Sequence, residues 1–368
     1  MSTEPRPTTA ATAAEVAAMD RALELAARGP VHGPNPRVGC VLLAPDGTTL
    51  AEGWHRGAGS PHAEAAAVSE ALARGTDLNG ATAVVTLEPC AHTGRTGPCT
   101  RVLLDAGVTR VVVAVKDPDP VAAGGERVLL DAGVDVVTGV RSDQGEQLLR
   151  VWLRAVRQGR PFVTLKLATT LDGRVAASDG SSRWITSEPA RRHAHAVRAT
   201  VDALAVGTGT ALIDDPELTA RTTSGDLAAH QPLRVVVGRR ELPVGARVHG
   251  AGGELVQLAT HDVGEVLALL AAREVRHVLV EGGPTLAAAV LRAGVVDEVH
   301  AYVAPLLLGA GPSAVGDLGI TSIVAALHLE VARVERLGPD VLVVATPRTD
   351  HRETHEPPGP GPSTLEES

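Results

Sequence analysis

Residues 101–115 read RVLLDAGVTRVVVAV, and residues 127–137 repeat the pattern as RVLLDAGVDVV. Each copy ends a helix on a glycine able to take the left-handed conformation that closes helices, then runs into a β-branched strand. LRAGVVDEVHAYV at 291–303 has the same grammar. The spacing is uneven, so this is a recurring αβ unit and not a solenoid repeat. It predicts an α/β protein with helices on the faces of its sheets.

Working outward, residues 14–28 carry apolar positions at helical spacing and stop at Gly29-Pro30. Strands are expected at 37–44 and 48–54, joined by the turn Pro45-Asp46-Gly47. A helix over about 62–74, a strand over 82–87 and a helix over 142–158 follow, with a boundary at Gly159-Arg160-Pro161. The second half opens on the strand FVTLKLATTLDG and is expected to continue the α/β alternation to about 346. Residues 1–12 and 347–368, which include His351 and His355, are polar and proline-rich and are expected to be disordered. The expected division is therefore a domain over 13–158 and a second over 159–346.

At 368 residues, two domains are the natural prior. The chain is 44% hydrophobic but only 1% aromatic, so its core must be built from Val, Leu and Ala. A net charge of -9 and the lack of stacking aromatics argue against a nucleic-acid partner. No stretch has ~18 uninterrupted apolar residues and no basic, apolar leader opens the chain. No membrane partner and a cytoplasmic location are therefore expected.

Three cysteines cannot make a disulfide framework. Cys40 lies in the apolar run VGCVLL and reads as a small buried hydrophobe. Cys90 and Cys99 lie in a polar loop where packing explains little. Three pieces belong together: Pro61-His62-Ala63-Glu64 opens a helix, Leu87-Glu88-Pro89-Cys90 ends a strand, and Gly97-Pro98-Cys99-Thr100 opens the next helix, with Pro98 expected at its first position. Helix N-termini favour thiolates. One His and two Cys supply three zinc ligands, and a catalytic zinc site leaves the fourth position to water, activated at neutral pH. Glu64 is then placed to move protons between water, a ring nitrogen and leaving ammonia. Inside a regular helix His62 and Glu64 would lie about 200° apart, so both must sit in its first turn. The alternative is a closed structural site with His55 or His92 as fourth ligand, which gives Glu64 no part.

His62-Ala63-Glu64 with Pro89-Cys90 resembles the cytidine-deaminase-like superfamily. The long gap to Cys99, with Asn35-Pro36-Arg37-Val38-Gly39 upstream and Lys116-Asp117-Pro118-Asp119-Pro120 downstream, is similar to the deaminase half of bifunctional riboflavin-biosynthesis deaminase/reductases. The resemblance runs from about residue 15 to 346. It implies a phosphoribosylamino-pyrimidine substrate that loses its amino group at ring carbon 2. Asn35 is then a candidate to hold the ring edge, and His55, His92 and Arg95 are candidates for the ring or phosphate end.

By pattern alone the second half carries no strong nucleotide fingerprint, since Gly207-Thr208-Gly209 lacks a third glycine. Val278-Leu279-Val280-Glu281-Gly282-Gly283-Pro284-Thr285 is better, because a strand running through two glycines into a helix bares backbone N–H groups to a phosphate. Lys166-Leu-Ala168, Thr170-Leu-Asp172-Gly173, Ser182-Arg-Trp184, Gly207 through Thr219 and Glu281-Gly282-Gly283, in that order, resemble the riboflavin-pathway reductase, a dihydrofolate-reductase-like α/β domain that uses NADPH. The resemblance implies NADPH contacts at Ala168, Trp184, Thr210, Asp214 and Gly283, Pro284, Thr285, Leu286, Ala287, Ala288 and Ala289. It implies substrate contacts at Ser182, Arg198, Leu218, Arg221 and Glu281. Lys166, one of two lysines in an arginine-rich chain, is a further substrate candidate. Singly, each has a duller account: Trp184 as core, Asp214 as a cap, Arg198 as a solvated helix residue. One departure stands out. Where the family has a strand ending in Asp-Ser or Asp-Thr, this chain reads Val237-Gly238-Arg239-Arg240, and the arginines are candidates for the 2′-phosphate of NADPH.

The expectation is thus a zinc-dependent deaminase joined to an NADPH-dependent ribosyl reductase, acting on a small molecule and assembling as a homo-oligomer. Two other readings stay open here: a deaminase of another base or nucleoside with a non-catalytic second half, and a zinc-stabilised binding protein.

Overall fold

The repeated unit folds as its pattern predicts. In this computed structural model, which describes residues 10–92 and 97–348, each copy is a short helix, a glycine with positive φ and a parallel strand. The first half runs α1 (Ala13–Ala26), β1 (Gly39–Leu43), β2 (Thr49–Trp54), α2 (Ala63–Ala73) and β3 (Thr82–Leu87). It continues with α3 (Cys99–Asp105), β4 (Arg110–Val115), α4 (Gly125–Asp131), β5 (Asp135–Thr138) and α5 (Ser142–Gln158). The strands form one sheet in the order β2-β1-β3-β4-β5. The β1–β2 hairpin and the β1–β3 pair are antiparallel, while β3, β4 and β5 run parallel.

The second half runs β6 (Phe162–Thr170), α6 (Glu188–Arg198), β7 (Ala203–Gly207), α7 (Thr208–Asp214) and β8 (Leu233–Val237). Then come β9 (Leu255–Leu258), α8 (Val263–Ala272), β10 (His277–Val280), α9 (Pro284–Arg292) and β11 (Glu298–Ala304). An antiparallel hairpin, β12 (Leu329–Leu337) and β13 (Asp340–Pro347), ends the fold. The sheet order is β12-β13-β11-β6-β10-β7-β8-β9, parallel from β11 to β9. The expected α/β alternation therefore stops at β11. Gly338-Pro339-Asp340 turns the chain straight back, and no helix stands between the last two strands.

Both cores are aliphatic, as the composition requires. Leu42, Val84, Leu103, Val112 and Leu129 are fully buried in the first, and Val163, Leu165, Val235 and Leu279 in the second. Each such side chain contributes ~1.5–3 kcal/mol by leaving water. Cys40 belongs to the first core, where burial pushes its thiol well up, as a packing residue should show. Gly53 is needed for a different reason. A Cβ there would lie 2.3 Å from Ala63 O, so only glycine lets the start of α2 settle against β2.

The chain ends differ from expectation at their inner edges. Thr12, placed in the tail by its composition, caps α1 and exchanges hydrogen bonds with Glu15, a capping box that holds the first turn. Pro347 closes β13 opposite Leu329. Residues 1–9, 93–96 and 349–368, with Arg95, His351 and His355 among them, lie outside the described residues.

Candidate active sites

The ends of three elements meet in the first half. His62 is the N-cap of α2, with extended backbone at φ -66° and ψ 161°, and Glu64 stands in the first turn. That removes the angular conflict a regular helix would impose. Cys90 follows the end of β3, and Cys99 is the first residue of α3. Pro98 serves as N-cap at φ -60° and ψ 138°, one place before the position expected for it; with no N–H to donate, it suits the extended entry.

His62 Nδ1 lies 3.3 Å from Cys99 Sγ and 3.7 Å from Cys90 Sγ, and the three donor atoms all fall within 4.8 Å of one another. A tetrahedral zinc with its usual bond lengths separates such ligands by roughly 3.3–3.8 Å. The donor set fits the metal. Among the described residues the cluster contains these three ligands and neither His55 nor His92, so the closed four-ligand alternative lacks its fourth member.

Charge is arranged to match. Hydrogen bonds from Cys99 and His62 hold the Cys90 thiol down to about 4, while Cys99 is pushed up by the same pairing and by burial. The partnership with Cys90 raises His62. Glu64 is buried, and desolvation pushes its carboxyl above the usual carboxylate range.

His55 is buried beside this cluster, edge-on to His62 with ring centroids 5.5 Å apart. Asn35 Nδ2 donates to His55 Nε2 at 3.0 Å, and His55 Nδ1 donates to Pro61 O at 3.1 Å. Both bonds form in one neutral tautomer, and desolvation lowers the ring's affinity for a second proton. Among the described residues the buried Nδ1 of His92 has no hydrogen-bond partner. Pattern reasoning missed Glu88. Its carboxylate accepts from the backbone N–H groups of Asp117, Gly124 and Glu126 and so ties the 117–126 loop to the strand that carries Cys90. The signal was a charged residue between an apolar strand and Pro-Cys.

The second half holds a cleft of about 1200 Å³. Ala168, Trp184, Thr210, Asp214, Gly283, Pro284, Thr285, Leu286 and Ala289 line it, as do Lys166, Ser182, Arg198, Leu218, Arg221 and Glu281. Ala287 and Ala288 do not. Both are buried against the core, because successive residues of α9 point to different faces. Trp184 is not core: it is 68% exposed, with the Arg191 guanidinium 4.5 Å above its ring. Ser182 Oγ sits 3.5 Å from Asp214 Oδ1. Leu218, buried with φ 55°, and Asp215, with φ 42°, hold backbone conformations rarely taken by such residues, which concentrate at binding clefts.

Two glycines ahead of α9 keep the cleft open. A Cβ on Gly282 would lie 2.7 Å from Leu286 Cβ, and one on Gly283 2.9 Å from Thr210 Oγ1. Deeper in, Lys166 Nζ and the Arg198 guanidinium converge on Glu281, whose carboxyl is held well below its usual range by these two cations despite burial. The sequence also concealed Arg191 and His195, which line the cleft from α6. Their spacing with Arg198, one face of a helix, was the available signal.

Residues 13–115 match the zinc-binding region of cytidine and deoxycytidylate deaminases, and residues 161–343 match the RibD C-terminal domain. The riboflavin biosynthesis protein RibD of Mycobacterium tuberculosis is 49% identical over 311 residues, covering 84% of this chain and 90% of that protein. The Escherichia coli RibD is 39% identical, covering 88% and 96%. A solved diaminohydroxyphosphoribosylaminopyrimidine deaminase/5-amino-6-(5-phosphoribosylamino)uracil reductase from Thermotoga maritima superposes with a TM-score of 0.80 at 34% identity, covering 91% of this chain and 99% of that one. Similarity of this extent, across both sites and the strands that carry them, shows that the chain belongs to the RibD family of riboflavin biosynthesis proteins.

Proposed function

We propose that this chain deaminates 2,5-diamino-6-(5-phosphoribosylamino)pyrimidin-4(3H)-one and then reduces the ribosyl group of the resulting 5-amino-6-(5-phosphoribosylamino)uracil to a ribityl chain. The observation that carries the reading is the buried Glu64 beside the His62, Cys90 and Cys99 triangle, in one chain with a separate cleft large enough for a dinucleotide and a substrate together. The first reaction is assigned to 13–158 and the second to 159–346.

His62, Cys90 and Cys99 would hold zinc, which supplies a Lewis acid that makes water nucleophilic at neutral pH. Glu64 takes one proton from the attacking water and passes it to the ring nitrogen, then takes the second from the new hydroxyl and gives it to the amino group, which leaves as ammonia as the carbonyl forms. Asn35, braced by His55, holds the edge of the ring. In the second cleft bound NADPH would supply a hydride to C1′ of the sugar as the C1′–O4′ bond opens and O4′ takes a proton. The N-terminal turn of α9 and the walls at Ala168, Trp184, Thr210 and Asp214 hold the cofactor, while Lys166, Arg198, Arg221 and Ser182 present positive charge and hydrogen bonds to the phosphoribosyl group.

A homo-oligomer is supported by the outer strand β12, which is exposed along most of its length and shows Val331 and Val334 to solvent. An unpaired edge of this kind is a ready template for a second copy. Among the described residues no helix is long and apolar enough to cross a membrane, and a cytoplasmic location accords with three free cysteines.

The test follows ammonia release and then NADPH oxidation in the zinc-loaded protein given the diaminopyrimidine. Glu64→Ala is expected to lower ammonia release by ~10²–10⁴-fold while reduction of supplied intermediate continues. Loss of both activities would contradict two independent sites.

A further inference from the structure

The loop over 31–37, which carries Asn35, is gripped by residues from the opposite half of the chain. Asp202, just ahead of β7, accepts the Gly33 N–H with one carboxylate oxygen. Its other oxygen accepts the backbone N–H groups of Arg276 and His277, both at 2.9 Å. Pro34 O accepts from Arg276 Nε at 3.4 Å and, within its own half, from Trp152 Nε1 at 3.0 Å. His32 lies flat on His230, with centroids 3.5 Å apart and planes 3° from parallel. His230 is itself anchored through Nε2, 2.9 Å from Val201 O.

The next residue is Asn35, bonded to His55, which packs against the metal-ligand candidate His62. A continuous set of contacts thus runs from the base of the reductase sheet to the deaminase centre through one short loop. The grip falls at the opposite end of the strands from the reductase cleft: β7 and β10 begin beside Asp202 and end at Gly207 and at Val280, next to Glu281. Nothing in the reduction requires it there.

We propose that the reductase half is a scaffold for deamination, with Asp202 and His230 as positioning residues that preset Asn35 for the pyrimidine ring. The inference rests on the reading of Asn35 as the ring-holding residue. Fixing a loop residue costs backbone entropy. If the folded protein has already met that cost, substrate binding does not have to. An ungripped loop should therefore raise the deaminase KM about tenfold, since ~1.4 kcal/mol is a factor of ten in affinity.

The test uses Asp202→Ala and His230→Ala in the full-length chain. Expected are a deaminase KM raised about tenfold with kcat and zinc content held, faster amide hydrogen exchange in peptides spanning 31–37, and unchanged reductase constants. Asp202→Asn, which retains an acceptor oxygen, should recover part of the KM. Unchanged KM and exchange in both variants would overturn the proposal, as would a parallel fall in both activities, which would make Asp202 only a cap for the strands it touches. If Asp202→Ala fails to fold, His230→Ala decides alone, since it removes a half-buried ring and its hydrogen bond to Val201 O, whereas Asp202→Ala removes the acceptor of three backbone N–H groups. Asn35→Ala tests the underlying reading separately. An unchanged KM there, with faster loop exchange in the grip variants, would overturn the role of Asn35 and the KM effect with it, while leaving the mechanical grip demonstrated.

Discussion

Arg198 reaches Glu281 with both prongs of its guanidinium, Nε at 2.6 Å and Nη2 at 2.8 Å from the two carboxylate oxygens. The side chains are 17% and 7% exposed, and Lys166 Nζ stands 3.4 Å from the same carboxylate. Two cations around one anion leave a net positive charge on the floor of the cleft. That is a suitable surface for a phosphorylated sugar, and one that collapses if the anion is lost.

Glu281→Ala should therefore leave Lys166 and Arg198 facing each other without compensation. Removing one partner of such a sheltered pair destabilises by ~3 kcal/mol. The expected outcome is a lower denaturation midpoint together with a raised reductase KM, whereas deamination at saturating substrate is unaffected. Equilibrium denaturation and the two separate assays check it.

Metal removal should divide the activities. A chelator is expected to bring ammonia release to background, because His62, Cys90 and Cys99 offer no other route to an activated water. Reduction of supplied intermediate should persist, since none of those ligands lines the second cleft. Metal analysis before and after chelation, with both assays on the same sample, reads the result. Cys99→Ala should reproduce it without chelator.

Gly238, Arg239 and Arg240 follow directly on β8. Gly238 has φ +132°, and a Cβ there would fall 2.6 Å from Thr208 Oγ1, so no other residue fits without displacing the start of α7. Both arginines line the cleft, and among the described residues neither side chain is held in an ion pair. Replacing both with alanine should weaken NADPH binding at least tenfold, the loss of one charge-assisted contact of ~1.5–3 kcal/mol, and leave NADH binding unchanged. Fluorescence titration with each dinucleotide separates the outcomes. Equal weakening of both would show that the arginines do not read the 2′-phosphate.

His277 opens β10 with its ring edge-on to Phe162 and Nε2 2.8 Å from Thr164 Oγ1. Desolvation pushes its pKa down to about 4 from the ordinary 6.5. Between those values the unfolded chain binds a proton that the folded chain refuses, so stability is lost as pH falls through that window and regained as it rises. The denaturation midpoint should therefore drop more steeply from pH 6.5 to 4 in the parent protein than in His277→Gln, which has no proton to take. Parallel curves would remove His277 from the account.

Much of this was legible in the chain. The helix over 142–158 and the strand over 82–87 lie where their patterns put them, because each repeats an apolar period and ends on a clear stop such as Gly159, which takes φ 63°. The His62, Glu64, Cys90 and Cys99 chemistry could be read from residue types and their positions at element ends. The β12–β13 hairpin was harder, since its alternation of charged and aliphatic residues follows a run of αβ units and only Gly338-Pro339-Asp340 marks the reversal. The inward-facing Ala287 and Ala288 could not be told from Leu286 and Ala289 by motif, because a contiguous run on a helix always spans more than one face.

The repeated RVLLDAGV unit determined by itself that helices would alternate with strands, since helix closure at glycine and β-branched strands are local preferences. The zinc-ligand types were likewise local facts. Only the tertiary structure decided that Glu88 ties the 117–126 loop, that Glu281 gathers Lys166 and Arg198, and that Asp202 grips Gly33 across 169 residues. A carboxylate carries no sequence mark of its eventual donors, because those donors are backbone and side-chain groups that converge only once distant strands have packed.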